Sequence, residues 1–345
     1  MGIALQTVTN ELTHVFLLSV GAFLLAMFLT PIYTFFAYRY RFWKRQRSES
    51  TDGKKLKVFA KFQAAKLRRN IPTMAGVIGV ISIFVVTIFF NLDRAQTWLP
   101  LAALVGGGIV GLIDDIINLR GLGGGAAGLR SPVKFALITL IGVVLGWFFF
   151  AKLGVASFHV PFVGEVNIGW LIIPLFAFAV VATGNAVNIS DGMDGLAGGL
   201  LGISFGAFGV IALLQQHVIL AGFCFTVVGV LLSYLWFNIY PARFFMGDVG
   251  SFAYGACLGV VAMLTDSLLL LPVIGLLFVI EAGSSLTQIL SKKLFKRKIF
   301  LSAPIHHHLE AIGWPETKVT MRFWVIGCVM AFIGVMLALA GGHIA

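Results

Sequence analysis

About ten long apolar stretches, separated by polar connections, constrain this chain more than any other feature. A helix needs about 20 apolar residues to cross a bilayer. Only 11% of the residues are charged, against about 25% in a typical soluble domain. The sequence therefore predicts an all-α polytopic membrane protein that forms a single domain over residues 1–345. The predicted transmembrane helices are His14–Tyr38, Met74–Asn91, Trp98–Ile116, Val133–Phe150, Trp170–Asn188, Leu196–Leu214, Ile219–Phe237, Ser251–Leu264, Leu268–Leu290 and Phe323–Gly341.

Two segments depart from this regular pattern. Ser251–Leu264 is short for a transmembrane helix and could begin inside a re-entrant region. Between the fourth and fifth spans, Ser157–Trp170 alternates apolar and polar residues around Gly164 and Glu165, which is typical of paired strands. We therefore expect a small β-hairpin on the outer (periplasmic) side of the membrane.

Basic residues indicate the orientation of the chain. Of the 25 Lys and Arg, 23 lie in odd-numbered connections between spans, and only Arg94 and Lys152 lie in even-numbered ones. Because Lys and Arg accumulate in cytoplasmic loops, the odd-numbered connections are predicted to be cytoplasmic and both termini to lie outside. The net charge of +11 then reflects orientation and contact with anionic membrane lipid rather than nucleic-acid binding. The basic run Lys54–Arg69 is interpreted as a solvated, lipid-facing loop.

Acidic residues and histidines are concentrated on the same predicted face. An acid within the membrane costs about 2.5–3.5 kcal/mol on insertion scales and usually has a function. A polar turn is the alternative interpretation of the glycine-rich stretch Asn185–Gly199. We hypothesise that the residues of this face fold into one pocket. They are Asp114, Asp115, Asp191, Asp194, Asp248, His306, His307 and His308.

These residue types favour phosphate chemistry assisted by a metal ion. Carboxylate oxygens, with water and substrate phosphates, suit Mg²⁺, and phosphoryl transfer depends on positioning and charge neutralisation. Asp114 and Asp115 could repel each other so that one acts as a base, or they could cap a helix end. His306–His308 raises zinc as a rival, but an anionic phosphate is favoured, since consecutive side chains cannot all point one way on a helix. Leu122–Gly128 lacks the GK[ST] ending of a P-loop and is interpreted as a flexible loop.

Five motifs carry a resemblance to a known family. They are PTMAG at Pro72–Gly76, the Asp114–Asp115 pair, NAVNISDGMDGLAGG at Asn185–Gly199, FNIYPARFFMGDVGS at Phe237–Ser251 and IFLSAPIHHHLEAIGWPETKVTMRFW at Ile299–Trp324. In this order they resemble the phospho-N-acetylmuramoyl-pentapeptide transferase family, within the polyprenyl-phosphate N-acetylhexosamine phosphate transferase superfamily. The histidine block is the most specific element, because it separates this family from relatives that transfer N-acetylglucosamine phosphate.

The resemblance implies an enzyme of peptidoglycan synthesis in the bacterial cytoplasmic (inner) membrane. Such enzymes transfer phospho-MurNAc-pentapeptide from UDP-MurNAc-pentapeptide to undecaprenyl phosphate, giving lipid I and UMP, with Mg²⁺ as cofactor. The resemblance also implies a homodimer and an active site that faces the cytoplasm, where a nucleotide from the cytosol can meet a lipid phosphate from the bilayer.

It further implies roles for individual residues. Asp248 corresponds to the magnesium ligand, and Asp114 and Asp115 correspond to the catalytic pair, with a base acting on the lipid phosphate as the favoured role. His306 is grouped with these catalytic residues, near the diphosphate. The residues predicted to bind substrate, with Lys134 on a phosphate and Asp194 near uracil, are Thr73, Lys134, Asn188, Asp191, Asp194, Gly247, Ser251, Gln288 and His307.

Three positions depart from the family pattern. Ala75 stands where a glycine is usual, Asn118 where a lysine follows the aspartate pair, and Arg68 where a lysine precedes the PTM motif. Asn118 removes a charge, for which neighbouring Arg120 is a candidate replacement. Arg68 keeps a cation but changes its geometry.

Two other classes of protein fit part of the pattern. A sister transferase would pass another UDP-sugar phosphate to a polyprenyl phosphate, and the histidine block argues against it. A transporter would place its acids near the bilayer midplane, often in repeated halves, whereas these acids lie at one face and the sequence shows no repeat.

Overall fold

The computed structural model describes residues 2–43, 70–121 and 128–342. Arg68, the Lys54–Arg69 run and most of the predicted loop Leu122–Gly128 lie outside these ranges. The helices are α1 (Gly2–Arg39), α2 (Gly76–Phe90), α3 (Trp98–Arg120), α4 (Ser131–Leu153), α5 (Ile172–Ser190), α6 (Leu196–Leu214), α7 (Val218–Asn238), α8 (Gly247–Leu264), α9 (Leu271–Ile274), α10 (Leu276–Phe295), α11 (Ile305–Ala311) and α12 (Glu316–Ala340).

Within the described ranges, eight helices are long and apolar enough to cross a bilayer, namely α1, α3 to α8 and α12. The segments Leu268–Ile274 and Leu276–Phe295 form a further candidate that is bent by 81°, and α2 is a shorter apolar helix. Each of the ten predicted windows coincides with one of these elements, which confirms the prediction of an all-α polytopic membrane protein. The interrupted span is the one that bends at Gly275. Near Ser251, where the sequence suggested a re-entrant start, helix α8 is continuous from Gly247.

The predicted hairpin is present between α4 and α5. Strands β1 (Ser157–Val160) and β2 (Gly164–Asn167) pair antiparallel, with Phe158 opposite Val166. The sheet has only these two strands, which alone are marginal in water. Its turn is held by a hydrogen bond from the Phe162 N–H to the Gly341 carbonyl just after α12, at 3.2 Å.

Helix α8 lies at the centre of the bundle, and 94% of its apolar window is buried. Small residues on helix surfaces allow two helices to approach closely within a membrane. A Cβ atom at Gly111 of α3 would overlap the carbonyl oxygen of Asp248 on α8, and one at Gly76 would overlap Gly250. The close contact places Asp115, one turn beyond Gly111, beside the first turn of α8.

Helix α12 connects the two ends of the bundle. At its start, the Glu316 carboxylate accepts a hydrogen bond from the Asp194 N–H at 2.7 Å, and just beyond its end Gly341 contacts the hairpin. A helix of 25 residues is about 37 Å long at a rise of 1.5 Å per residue. The aspartate-rich end and the hairpin therefore lie at opposite ends of the molecule.

Candidate active site

Three buried aspartates from two helices form the centre of the candidate site. Asp114 and Asp115 lie near the end of α3, and Asp248 is the second residue of α8. Their side chains are buried, and one carboxylate oxygen from each lies within 4.8 Å of the other two. Buried charges require compensation by an opposite charge or a metal ion. Three carboxylates so close together therefore point to a cation.

Lys134 on α4 supplies part of this positive charge. Its Nζ donates to Asp248 Oδ2 at 2.8 Å and forms an ion pair with Asp114 Oδ2 at 3.1 Å. The ammonium group also lies 5.1 Å from the ring centroid of Phe252, within range of a cation–π interaction. Asp114 Oδ1 also accepts the Leu129 N–H at 2.7 Å. Because Asp114 pairs with Lys134 as well, it does more than cap the end of a helix. Among the described residues, Lys134 is the cation that contacts Asp114 and Asp248 directly.

Backbone pairing brings the PTMAG motif to this cluster. The Ala75 N–H donates to the Phe245 carbonyl at 3.0 Å, and the Phe245 N–H donates to the Pro72 carbonyl at 2.9 Å. Gly247 follows with φ of +73°, where a Cβ atom would lie 2.5 Å from Asp115 Oδ2 and 2.9 Å from Thr73 Oγ1. Both predicted substrate-binding residues, Thr73 and Gly247, therefore adjoin the aspartates.

Asn188 and Ser251 connect α5 to the same turn of α8. The Asn188 side-chain amide donates to Ser251 Oγ at 2.8 Å. Ser251 Oγ in turn contacts the Asp248 carbonyl at 3.4 Å. Asn188 of the NAVNISDGMDG motif thus lies beside the three buried aspartates. The motif's own aspartates, Asp191 and Asp194, follow within six residues of Asn188.

The loop after α5 places Asp191 and Asp194 in different surroundings. Asp194 is buried, and its Oδ2 accepts the Ala242 N–H at 3.0 Å. Its carbonyl accepts the Thr320 hydroxyl at 3.1 Å. Asp191 is only half-buried. The contacts of Asp194 hold the loop in place, whereas Asp191 is the more accessible of the two carboxylates.

The histidine block reaches this loop through His306. Its Nδ1 lies 2.7 Å from Glu281 Oε2 on α10, and both side chains are fully buried. On the other side, the His306 ring packs against Gly192, where a Cβ atom would overlap its Nε2. Asp248, Asn188, the Asp191–Gly192 turn and His306 are therefore linked by a continuous series of contacts, as the hypothesis of one pocket requires.

The other predicted residues of this end have distinct partners. His307 Nδ1 lies 3.1 Å from Glu310 Oε2, and His308 Nδ1 accepts the Leu301 N–H at 3.2 Å. Gln288 accepts the N–H groups of Ile299 and Phe300 and donates to the Phe300 carbonyl. The three histidines thus point to three different partners. Gln288 holds the segment before the histidine block, and its substrate contact stays a prediction.

Two of the three departures from the family pattern lie in the described ranges. Ala75 contributes a backbone hydrogen bond to Phe245, which a glycine would make equally well. Asn118 is buried on α3, whereas Arg120 is exposed at the end of that helix. The two side chains thus lie in different environments, so Arg120 as a replacement for the missing lysine stays a prediction.

Sequence reasoning missed two residues of this region. Glu281 is a single acid in an otherwise apolar stretch, and an acid in such a stretch is itself a signal of function. Tyr33 on α1 donates its hydroxyl to the Thr73 carbonyl, and nothing in the sequence around it indicates this contact. Glu281 holds the side chain of His306, and Tyr33 holds the backbone of Thr73. Both His306 and Thr73 belong to motifs identified in the sequence.

Glu281 offers a direct test of how His306 is held. Removing one partner of a buried hydrogen-bonded pair leaves the other group unsatisfied and typically costs about 1–3 kcal/mol. We expect Glu281→Ala to lower stability by an amount of this order, measured by denaturation in detergent. Glu281→Gln keeps a hydrogen-bonding oxygen and should preserve most of the stability while lowering kcat. Unchanged kcat and KM in a folded Glu281→Gln protein would show that His306 does not depend on this carboxylate.

Comparison with known proteins identifies the class first. A family model described as Glycosyl transferase family 4 matches residues 97–266, the region from α3 to just beyond α8. With the buried carboxylates at one end of a helical bundle, this defines an enzyme of the membrane phosphoglycosyl transferase class.

Curated relatives then define the family. The phospho-N-acetylmuramoyl-pentapeptide-transferase of Chloroflexus aggregans (strain MD-66 / DSM 9485) is 38% identical, and the alignment covers 99% of this chain and 94% of the relative. Proteins of the same name from Geobacillus thermodenitrificans (strain NG80-2) and Oceanobacillus iheyensis (strain DSM 14371 / CIP 107618 / JCM 11309 / KCTC 3954 / HTE831) are each 35% identical. Their alignments cover 91% and 94% of this chain, and 94% and 98% of the relatives. The chain belongs to the phospho-N-acetylmuramoyl-pentapeptide-transferase family.

Proposed function

We propose that this protein transfers phospho-MurNAc-pentapeptide from UDP-MurNAc-pentapeptide to undecaprenyl phosphate, forming lipid I and UMP. The reaction takes place at the cytoplasmic face of the bacterial inner membrane. The observation that carries the proposal is the convergence of Asp114, Asp115, Asp248 and Lys134 beside the Asn188–Asp194 loop and His306. The family membership of nearly the whole chain supports it.

The donor set of the aspartate cluster fits Mg²⁺. This ion prefers oxygen ligands and usually keeps several waters, binding through one or two carboxylates together with substrate phosphates. Asp248 is the proposed ligand, with Asp114 and Asp115 close enough to join it. When bound, the ion supplies charge neutralisation for the diphosphate of the donor and for the phosphate that leaves as UMP.

Lys134 and the α3 aspartates perform the remaining chemistry of this centre. The Lys134 ammonium, held between two carboxylates, is placed to donate to a phosphate oxygen, as a compact point charge does well. Asp115 is oriented by the Val249 N–H, which donates to its Oδ2 at 3.1 Å. The α3 pair thus offers a fixed base for the lipid phosphate, and its burial at the end of α3 limits access of bulk water.

The loop after α5 and the histidine block are proposed to bind the donor. Asp191, Asn188 and His307 are half-buried polar groups and therefore accessible to a nucleotide from the cytosol. His306 packs between Glu281 and Gly192 and so fixes the shape of the loop after α5. Asp194 is proposed to lie near uracil, with its backbone held by α12.

A radiolabelled assay tests the proposal. Purified protein with undecaprenyl phosphate and UDP-MurNAc-pentapeptide is expected to form lipid I with Mg²⁺ and to lose that activity when EDTA removes the ion. UDP-GlcNAc in the same assay tests the sister transferase. Product from UDP-GlcNAc, with none from UDP-MurNAc-pentapeptide, would contradict the proposed donor. The homodimer implied by the resemblance also stays a prediction, which light scattering on the detergent-solubilised protein measures.

A further inference from the structure

A second group of potential metal ligands lies at the hairpin end of the molecule. It consists of His159 on β1, Glu165 on β2 and Asp266 in the turn after α8. One ligand atom from each lies within 4.8 Å of the other two. In sequence these residues are up to 107 positions apart, so only the fold brings them together. This group is separated from the aspartate cluster by the length of the bundle.

The geometry of His159 is that of a metal ligand. Its Nε2 lies 2.8 Å from the Gly341 carbonyl oxygen, and because a carbonyl can only accept, Nε2 carries the proton. In the neutral ring, Nδ1 then has the lone pair, and it lies 3.6 Å from Glu165 Oε1. Metal-bound histidines almost always donate their other ring N–H to a carbonyl or carboxylate in this way.

Each of the two carboxylates also accepts a hydrogen bond that fixes one of its oxygens. Ser157 Oγ donates to Glu165 Oε2 at 2.6 Å, and the His159 N–H donates to Asp266 Oδ1 at 2.9 Å. Each acid is thus fixed through one oxygen. Two carboxylates held this close together call for positive charge beside them.

A neighbouring cavity provides room for water ligands. It has a volume of about 520 Å³, and Ser157, Glu165 and Asp266 lie in its wall. This volume far exceeds the ~30 Å³ that one water molecule occupies in the liquid, so the cavity has room for the waters that would complete a cation's coordination.

We propose that His159, Glu165 and Asp266 form a second divalent-cation site that binds Zn²⁺ and fastens the hairpin to the ends of α8 and α12. Imidazole nitrogen and carboxylate oxygen are both zinc ligands, and a zinc site can combine three protein ligands with a water molecule. Ligand bonds of 2.0–2.2 Å require the three side chains to move closer together than they lie in this structure. The imidazole disfavours Mg²⁺, which prefers an all-oxygen shell.

Zinc binding to the full-length, tag-free protein in detergent tests this site. Metal-stripped protein is titrated with ZnCl₂ against a zinc-sensitive dye, with excess Mg²⁺ present to occupy the aspartate cluster. The wild type is expected to bind one equivalent more than Glu165→Gln and Asp266→Asn, and to gain thermal stability that both variants lose. Both substitutions keep size and hydrogen-bonding oxygens. Glu11→Gln, which alters an exposed acid of α1, is the matched control and should behave as the wild type.

The comparison of variants separates this site from other zinc-binding groups. Zinc held by His306–His308 or by the α3 aspartates would bind equally to all four proteins. Equal stoichiometry in the wild type and Glu165→Gln, with metal-free melting temperatures that match, would overturn the proposal. Absence of zinc binding to every protein would overturn it as well, since His159 and the two acids would then form only an ion pair.

Discussion

Asp248→Asn is expected to lower lipid I formation by at least about 1,000-fold while the protein stays folded. Asn keeps the size of the side chain and an acceptor for Lys134, which now donates to Asp248 Oδ2 at 2.8 Å. It removes one of three clustered negative charges, and with it the main attraction for a cation. The loss corresponds to ~4 kcal/mol of transition-state stabilisation at 1.36 kcal/mol per tenfold change, a size typical of removing one electrostatic stabiliser.

Two further variants separate charge from position at Asp248. Asp248→Glu keeps the charge but moves the carboxylate by one methylene, so it should also be severely impaired if geometry matters. Glu11→Gln removes an exposed carboxylate of α1 and should leave both turnover and melting temperature unchanged. Initial rates of lipid I formation and melting temperatures in detergent are the measurements. If Asp248→Asn retained more than about a tenth of wild-type turnover, Asp248 would not be the metal ligand.

Gly111→Ala is expected to cost at least about 100-fold in turnover, although Gly111 lies one turn away from the aspartates. The added Cβ would overlap the Asp248 carbonyl, so α3 and α8 must separate and carry Asp115 away from Asp248. A displacement of about 1 Å at an active site can cost about 100-fold. Overpacking should also lower the stability by roughly 1–3 kcal/mol.

Gly202→Ala is the matched control for this substitution. Gly202 lies within α6, where a Cβ would meet nothing within 4 Å. Alanine favours a helix by up to about 1 kcal/mol over glycine, so Gly202→Ala should be as stable as the wild type or more so, with full activity. Comparison of kcat and melting temperature for the two variants is decisive. Normal turnover by Gly111→Ala would show that the close α3–α8 contact does not position the aspartates.

The architecture of the chain follows from local properties of the sequence. The ten apolar windows and the alternation around Gly164 each depend on a short stretch. The hairpin and every helix except α11, which lies outside the windows, appear where those stretches lie. The motif residues likewise occupy one region: Asn188 is linked to Asp248 through Ser251, and Thr73 adjoins Gly247. Residue type and side of the membrane were enough to group Asp248 with the other aspartates and the histidines, whereas Thr73 and Asn188 were identified only through the family resemblance.

Contacts between distant segments were not predictable from local patterns. Pro272 and Gly275 lie at the bend and are local signals for an interrupted helix, but they do not specify its angle of 81°. The pairing of Glu281 with His306 and the engagement of Gln288 by residues 299–300 need coordinates of two segments at once. The His159–Asp266 contact belongs to the same class, since neither residue has a motif around it.

Helix α12 is attached to the rest of the molecule at both of its ends. We therefore expect the surrounding lipid to influence the enzyme through this helix. Only 28% of its apolar window is buried, so most of the helix faces hydrocarbon. A hydrophobic segment that exceeds the local bilayer thickness tilts to accommodate the mismatch. Since Thr320 and Trp324 hold the backbone of Asp194 and Gly195, we expect tilting of α12 to displace the loop that is proposed to bind the donor. Acyl-chain length in reconstituted vesicles should then alter KM for the nucleotide substrate.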